Sequence, residues 1–190
     1  MAWPTSLQVA LKEWASVCRA LESGRQTILL RKGGIYESAG EFEVENREFL
    51  LFPTYVHQKR EMLKPAEHES LEAIPAEEPK EITISTACVV SDIIPITDRT
   101  RMDALDDEHV WAPPLIDMRF NYKPENPLYL LIVRGYRLAQ PVTVDNTPAY
   151  AGCKSWVPLQ EAIDTAGAAP ALTDDQFAQR RSRIKQQLRL

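Results

Sequence analysis

Apolar and polar positions follow one rhythm at the two ends of the chain and another in its middle. In SLQVALKEWASVCRALESG (residues 6–24) apolar side chains recur at steps of four and three, which predicts one amphipathic helix closed by Gly24. The last segment, TDDQFAQRRSRIKQQLRL (173–190), predicts a second helix with Thr173 as its N-cap. We therefore expect an N-terminal and a C-terminal helix.

The middle of the chain is typical of strands, because β-branched and aromatic residues stand in short runs between turn residues. Five such runs are QTILLRK (26–32), GEFEVE (40–45), FLLF (49–52), ITISTACVVSDIIPI (82–96) and PLYLLIVRGYRL (127–138). TRMDALDDEHVW (100–111) predicts a short helix, and PLQEAID (158–164) predicts a helical turn. No regular alternation of strand and helix is visible. The pattern favours an α+β fold, with a mostly antiparallel sheet or a partly closed β-barrel.

A Glu-rich connection, residues 62–81, separates two groups of predicted strands. It contains three prolines and little periodic apolar sequence, so we expect a loop there. The domain prediction is one α+β domain over residues 1–160 that includes this connection. A helical extension over residues 161–190 follows it.

The net charge of the chain comes from one segment, so it says little about the rest of the domain. The chain of 190 residues has a formal net charge of -5, and residues 61–81 alone carry seven Glu against Lys64 and Lys80. The remainder is neutral, so acidity does not exclude a nucleic-acid partner. No apolar stretch approaches the ~18–20 residues of a membrane span, and the opening lacks a secretory pattern, which predicts a cytoplasmic protein without a membrane partner.

Three clusters of polar residues at predicted strand ends could meet in space as a binding site. Arg31 and Lys32 precede two glycines, an arrangement that can approach phosphate but is also common in hairpin turns. Two further clusters could supply base-contacting and phosphate-contacting groups, with Arg134 as another cation. Their members are Tyr55, His57 and Gln58 in TYVHQ, and Lys154, Ser155 and Trp156 in GCKSW. The alternative for TYVHQ is that Tyr55 covers a core edge while His57 and Gln58 begin a helix in solvent.

Catalytic and metal-binding motifs are weak. DDEHVW (106–111) has no second His at metal-ligand spacing, which favours an acidic helix end before a buried Trp, and Glu78-Pro79-Lys80 makes a poor centre for a nuclease strand. Cys18 and Cys88 fit core positions, while Cys153 beside Lys154 lacks an identified base. We predict no metal and no cofactor, and catalytic residues remain unknown. The C-terminal cations could contact phosphate or form a solvated helix face; they are Arg180, Arg181, Arg183, Lys185 and Arg189.

Several linked motifs resemble a bacterial family known as domain of unknown function 1802. They are ALKEW (10–14), ILLRKGGI (28–35), FEVENREFLLFPTYVHQ (42–58), EHVW (108–111), LYLLIVRGYRL (128–138) and YAGCKSWV (150–157). This resemblance implies occasional association with Mrr-type restriction nuclease domains, and hence a restriction-modification or other DNA-related context with a nuclease partner. A shorter stretch, SGRQTILLRKG (23–33), is similar to the entry of ASCH domains, which implies a PUA-like barrel that handles RNA or modified bases.

Three functions follow as hypotheses. The first is a non-catalytic nucleic-acid or nucleotide recognition module that binds DNA or RNA through the three clusters. The second is an enzyme, either a degenerate metal-dependent nuclease using Glu13, Glu43 or Asp92 with Lys32, or a hydrolase using His57. The third is an interaction subunit without a ligand. The sequence leaves the ligand and the oligomeric state open.

Overall fold

A computed structural model describes residues 3–32, 37–38, 41–42, 46–72, 75, 77–152 and 155–190 of the chain. Its strands are β1 (Ser6–Trp14), β2 (Ile28–Arg31), β3 (Glu37–Ser38), β4 (Glu41–Phe42), β5 (Glu48–Thr54), β6 (Glu81–Ile96), β7 (Leu128–Asp145), β8 (Trp156–Asp164) and β9 (Ala169–Pro170). Its α-helices are α1 (Ala15–Glu22), α2 (His68–Glu72), α3 (Pro113–Asn121) and α4 (Asp174–Gln187). Short 3₁₀ segments lie at Arg60–Met62, Pro65–Glu67, Arg99–Glu108 and Pro148–Tyr150.

One mixed sheet organises the fold. Its strand order is β2-β7-β6-β5-β1-β8, with β9 paired to β7; β1 and β5 are parallel and the other neighbours are antiparallel. The long strands β6 and β7 carry irregularities at Ile84/Thr86 and Val90/Asp92, where a bulge allows a strand to bend. The predicted α+β fold with a mostly antiparallel sheet is confirmed. Across the described residues the sheet is not closed into a barrel.

Both faces of the sheet are covered at β5, which explains the continuous apolar run FLLF. Phe49 and Leu51 belong to a larger core cluster that includes residues of α1, α3 and α4, whereas Leu50 and Phe52 belong to a smaller cluster on the other face. Successive side chains of a strand point to opposite faces, so a strand buried on both sides needs no polar alternation.

The predicted N-terminal helix is wrong over its first half. Residues 6–14 form β1, which pairs with β5 and β8, and only Ala15–Glu22 are helical. A helical stripe fits Leu7, Leu11 and Trp14. Short apolar runs fit the helix period and the strand period equally well, and here the pairing with neighbouring strands decides for a strand. The same ambiguity explains PLQEAID, which is strand in β8 rather than a helical turn: Leu159 and Ile163 are four apart and both are buried.

Other predictions hold. The runs at 82–96 and 127–138 form β6 and β7, and β6 continues without interruption through Asp92 and Pro95. Helix α4 begins after Thr173, whose hydroxyl accepts from the Gln176 N–H at 3.3 Å while the Gln176 amide oxygen accepts from the Thr173 N–H at 3.0 Å. Gly24 follows α1 with a φ of 72° and so fits the expected helix end.

The Glu-rich connection is more ordered than expected, and the domain division is not tested. Within the Glu-rich connection, Leu63 and Glu67 are buried and short helices form, so its first half is packed rather than an open loop. The division at residue 160 into a domain and an extension stays a prediction. In the described part of the chain, no helix is long and apolar enough to cross a membrane.

Candidate functional site

A cleft of about 1050 Å³ lies where the ends of β1, β2 and β5 approach α3 and the loop before β8. This volume is at the upper end of small-molecule sites, which commonly measure roughly 300–1,000 Å³. The described residues that line it are Lys12, Glu13, Trp14, Arg31, Lys32, Phe52, Thr54, Val56, His57, Lys59, Met62, Glu78, Met118, Arg119, Tyr122, Asn146, Thr147, Pro148, Tyr150, Ala151, Gly152 and Ser155.

A buried cluster of charged side chains forms part of the cleft wall and connects β1, β2 and α3. Glu13 on β1 is 2% exposed, and its carboxylate lies 2.9 Å from the Arg31 guanidinium of β2 and 3.6 Å from that of Arg119 on α3. Arg31 also donates to the Lys12 carbonyl at 3.0 Å. These contacts join β1 and β2, which are not neighbours in the strand order.

Burial sets the electrostatics of this cluster. It lowers the pKa of Arg31, although the Glu13 carboxylate opposes the shift by favouring the charged form. Two guanidinium groups face one carboxylate, so the cluster retains positive charge. The Arg31 Nε is buried and has no hydrogen-bond partner among the described residues. This wall of the cleft therefore carries a net positive charge.

Positive charge extends along the whole cleft. Five of its described lining residues are cationic and two are acidic, in a chain whose net charge is -5. The Lys32 ammonium donates to the Phe120 carbonyl and lies 5.3 Å from the centre of its ring, and the Lys12 ammonium donates to the carbonyls of Tyr150 and Gly152. Burial lowers the pKa of Lys32. An anion is the ligand that such a surface attracts.

Apolar side chains are exposed at the same place. Val56, Met118 and Tyr122 are 47%, 49% and 58% exposed, and all three line the cleft. In the described residues the other large apolar side chain with such exposure is Leu190, at the chain end. Exposed apolar groups concentrated beside cations indicate a binding surface rather than ordinary surface scatter.

The turn after β5 brings His57 to the cleft. Gln58 fixes this turn, because its side-chain oxygen accepts from the Ser16 N–H of α1 at 2.9 Å and its own N–H donates to the Tyr55 carbonyl at 3.1 Å. The side chains of His57 and Lys59 are exposed and form no hydrogen bond or ion pair with another described residue. Both side chains are therefore available to a ligand.

The structure brings four of the predicted site residues together in the cleft: Arg31, Lys32, His57 and Ser155. Tyr55 and Gln58 belong to the same turn, but Tyr55 packs against the smaller core cluster and Gln58 caps α1. Lys154 lies outside the described residues, together with Cys153, Glu43 and the glycines after Lys32.

Arg134 and Trp156 lie elsewhere. Arg134 stacks between Tyr136 and Phe177 and binds the Asp174 carboxylate at 2.5 Å, which attaches α4 to β7. Trp156 packs edge-to-face on Phe49 with ring centres 5.2 Å apart, and its indole nitrogen is buried. These two predicted ligand contacts are not part of the cleft, because their rings and charges serve the core and the terminal helix.

Sequence reasoning missed the contribution of α3, which supplies Met118 and Arg119 to the cleft, with Tyr122 just after it. The signal was Pro113-Pro114, because proline is common at the first position of a helix. Lys12 and Lys59 were also missed, since no sequence pattern places them near Arg31.

The acidic residues considered for metal chemistry are separated. Glu13 is held by Arg31 and Arg119, whereas Asp92 lies in ion pairs with Arg181 and Lys185, each at 2.5 Å. Over the described ranges no three His, Cys, Asp or Glu side chains cluster as a metal site. Cys18 and Cys88 are buried as predicted, and burial raises the pKa of both thiols.

DDEHVW has the structural form that the sequence favoured. Trp111 is fully buried, and Glu108 accepts from Arg180 at 2.7 Å and from Arg183 at 2.6 Å. Burial lowers the pKa of His109 to about 4. Four of the C-terminal cations are therefore bound to carboxylates of Glu108 and Asp92, which joins α4 to the domain instead of leaving it as a free basic surface.

Comparison with known proteins gives a family. The family model described as "Domain of unknown function (DUF1802)" matches residues 10–183, which is most of the chain. The chain belongs to the DUF1802 family. The match confirms the resemblance that the sequence motifs indicated. It also includes the Glu-rich connection and most of α4, which contain none of those motifs. No curated protein matches this DUF1802 chain.

Three solved structures of ASCH proteins from Zymomonas mobilis are similar to the DUF1802 chain. A serine-to-alanine mutant is 11% identical, with a TM-score of 0.44 over 95% of this chain and 98% of that one. A tyrosine-to-phenylalanine mutant is 13% identical (TM-score 0.44; 92% and 96% covered), and a further ASCH structure is 12% identical (0.43; 92% and 93%). At these values the similarity does not bear on what the chain binds.

Proposed function

We propose that this DUF1802 chain is a non-catalytic recognition module for a nucleotide or a nucleic acid, and that the ligand binds in the cleft. One observation carries the proposal: five cations line the same cleft as the three exposed apolar side chains Val56, Met118 and Tyr122. A nucleotide combines an anionic phosphate with a flat apolar base, so its two parts match the two kinds of surface.

Each kind of group has a role in this proposal. Lys59 and His57 are exposed and supply donors to phosphate or sugar, and Tyr122 offers its ring to a base. Arg31 and Arg119 contribute positive potential from the wall, where Glu13 holds them in place. The charge is local in an acidic chain, which steers an anion to the cleft. A cytoplasmic location and a DNA-related context, with a nuclease partner, belong to the same proposal.

Fluorescence anisotropy with labelled single- and double-stranded DNA and RNA tests it, across a salt series and with or without Mg²⁺. We expect binding without cleavage, with affinity falling steeply as salt rises because bound phosphates release counterions. Lys59→Glu is expected to weaken binding about tenfold and to lower the salt slope by about one. Tyr122→Ala is expected to cost about tenfold through lost stacking.

Arg137→Glu is the matched control, because Arg137 is exposed on β7 and lies outside the described lining of the cleft. It makes the same charge change as Lys59→Glu and should leave affinity within about twofold. Equal losses in both variants would contradict a localised site. Absence of binding to every nucleic acid would favour an interaction subunit, and Mg²⁺-dependent cleavage abolished by Lys32→Ala would replace the module by a nuclease.

A further inference from the structure

Glu78 makes a contact inside the cleft that the proposed function does not use. One of its carboxylate oxygens accepts hydrogen bonds from two successive backbone N–H groups, those of Tyr55 at 2.9 Å and Val56 at 3.1 Å. Successive N–H groups that converge on one oxygen form an anion-binding concavity of the kind that holds phosphate in other proteins. The cleft therefore contains a backbone anion site, and a side chain of the protein occupies it.

Contacts that do not involve Glu78 set the direction of these two N–H groups. The turn that carries them is closed by the hydrogen bond from the Gln58 N–H to the Tyr55 carbonyl at 3.1 Å, and the Gln58 side chain binds α1. On the other side, the Thr54 hydroxyl donates to the Glu13 carbonyl at 3.2 Å. The site is thus formed by the fold and does not depend on its present occupant.

The backbone that follows Glu78 is also held in place. The Asn146 side chain donates to the Pro79 carbonyl at 2.9 Å, and the Asn146 N–H donates to the Lys80 carbonyl at 2.7 Å. Glu78 itself is exposed and forms no ion pair with any other described residue. Its carboxylate is positioned at the site, but a competing anion can displace it without breaking an ion pair.

We propose that the Tyr55 and Val56 N–H groups bind a phosphate of the ligand, and that Glu78 occupies this position in the free protein as an intramolecular competitor. The inference rests on the proposed function for the identity of the ligand. His57 in the same turn and Lys59 just after it line the cleft and are available as donors to that phosphate. Glu78-Pro79-Lys80 then has a regulatory role instead of a catalytic one. It sets how much anionic ligand is needed to fill the cleft.

The matched pair Glu78→Ala and Glu77→Ala tests the competition. Both variants remove one negative charge from adjacent exposed positions, but only Glu78 lines the cleft and binds the two N–H groups. We expect Glu78→Ala to tighten binding of a labelled single-stranded oligonucleotide about fivefold at low salt, and Glu77→Ala to change it less than twofold. Glu78→Gln keeps an acceptor oxygen and should fall between them.

Inorganic phosphate provides a second readout that is independent of nucleic acid. In ¹H–¹⁵N spectra of Glu78→Ala, the amide signals of Tyr55 and Val56 should shift saturably with phosphate, at about fivefold lower concentration than in the wild type or Glu77→Ala. The spectra also report whether each variant is folded. A phosphate response without binding of any nucleic acid or nucleotide would refute the proposed function and leave this inference standing. Equal tightening by both alanine variants, or no phosphate response at Tyr55 and Val56, would overturn the inference.

Discussion

Glu108→Gln tests whether a buried carboxylate holds the terminal helix in place. Glu108 is 1% exposed at the end of the 3₁₀ segment, and it binds Arg180 and Arg183 of α4. Burial alone would raise the pKa of Glu108, but hydrogen bonds from both guanidinium groups outweigh it and lower the pKa. Glutamine keeps the size and one acceptor oxygen while it removes the charge.

The expected cost follows from how buried each partner is. The Arg180 side chain is 16% exposed, and removing one member of such a buried pair typically costs about 3–5 kcal/mol. Arg180 also donates to the Gly24 carbonyl at 2.5 Å, which leaves it partly satisfied in the variant. Arg183 is 57% exposed, so its pair with Glu108 contributes at most about 1 kcal/mol. We expect Glu108→Gln to lower the free energy of unfolding by about 3 kcal/mol.

Urea denaturation measures this cost, with Asp92→Asn as the control, because Asp92 on β6 binds the same helix α4. Asp92 pairs with Arg181 and Lys185, whose side chains are 42% and 35% exposed, so its loss should cost about 1 kcal/mol. For a slope of about 2–3 kcal/mol per molar urea, Glu108→Gln should lower the midpoint by about 1 M with the slope unchanged. A cost no larger than that of Asp92→Asn would refute the argument from burial.

Three further predictions concern the core and its pH dependence. Burial lowers the pKa of His109 to about 4 from 6.5, so the unfolded chain binds more protons and the free energy of unfolding falls as pH drops. Urea denaturation should show that this free energy decreases by about 2.5 kcal/mol between about pH 7.5 and pH 4.5. The His109→Leu variant should lack this decrease. Gly135→Ala places a Cβ 2.8 Å from the Leu21 carbonyl oxygen and should cost about 2 kcal/mol, and a change under about 0.5 kcal/mol would contradict the close approach. Gln58→Ala removes the acceptor for the Ser16 N–H and should lower the unfolding free energy by about 1 kcal/mol in the same assay.

The sequence predicted the elements whose signals lie within a few neighbouring residues. The Thr173 N-cap and the long β-branched runs of β6 and β7 carry signals within a few residues of where they act. Residues 6–14 do not, because their apolar spacing suits a helix or a strand equally. Pairing with β5 and β8, more than thirty residues away in sequence, decides for a strand.

The candidate site shows the same limit. Arg31 and His57 could be recognised from sequence because each stands at the end of an apolar run. Their meeting in one cleft depends on the pairing of β2 with β7 and of β5 with β6, which no periodicity of the sequence predicts. Arg134 lies outside this cleft, and the sequence did not predict that for the converse reason. Its charge looks like a ligand contact until Asp174 and two aromatic rings are found around it.

The chain has two basic regions, α4 and the cleft, and they differ in how many of their cations are paired with carboxylates. The C-terminal helix has the denser cationic sequence, yet Glu108 and Asp92 each bind two of its cations, and Ile184 lies in the core beneath it. In the cleft, the Glu13 carboxylate is buried behind its two guanidinium groups, while Lys59 faces solvent. The Lys59 side chain has no carboxylate partner among the described residues, which is why we place the proposed phosphate site at the cleft and not on the terminal helix.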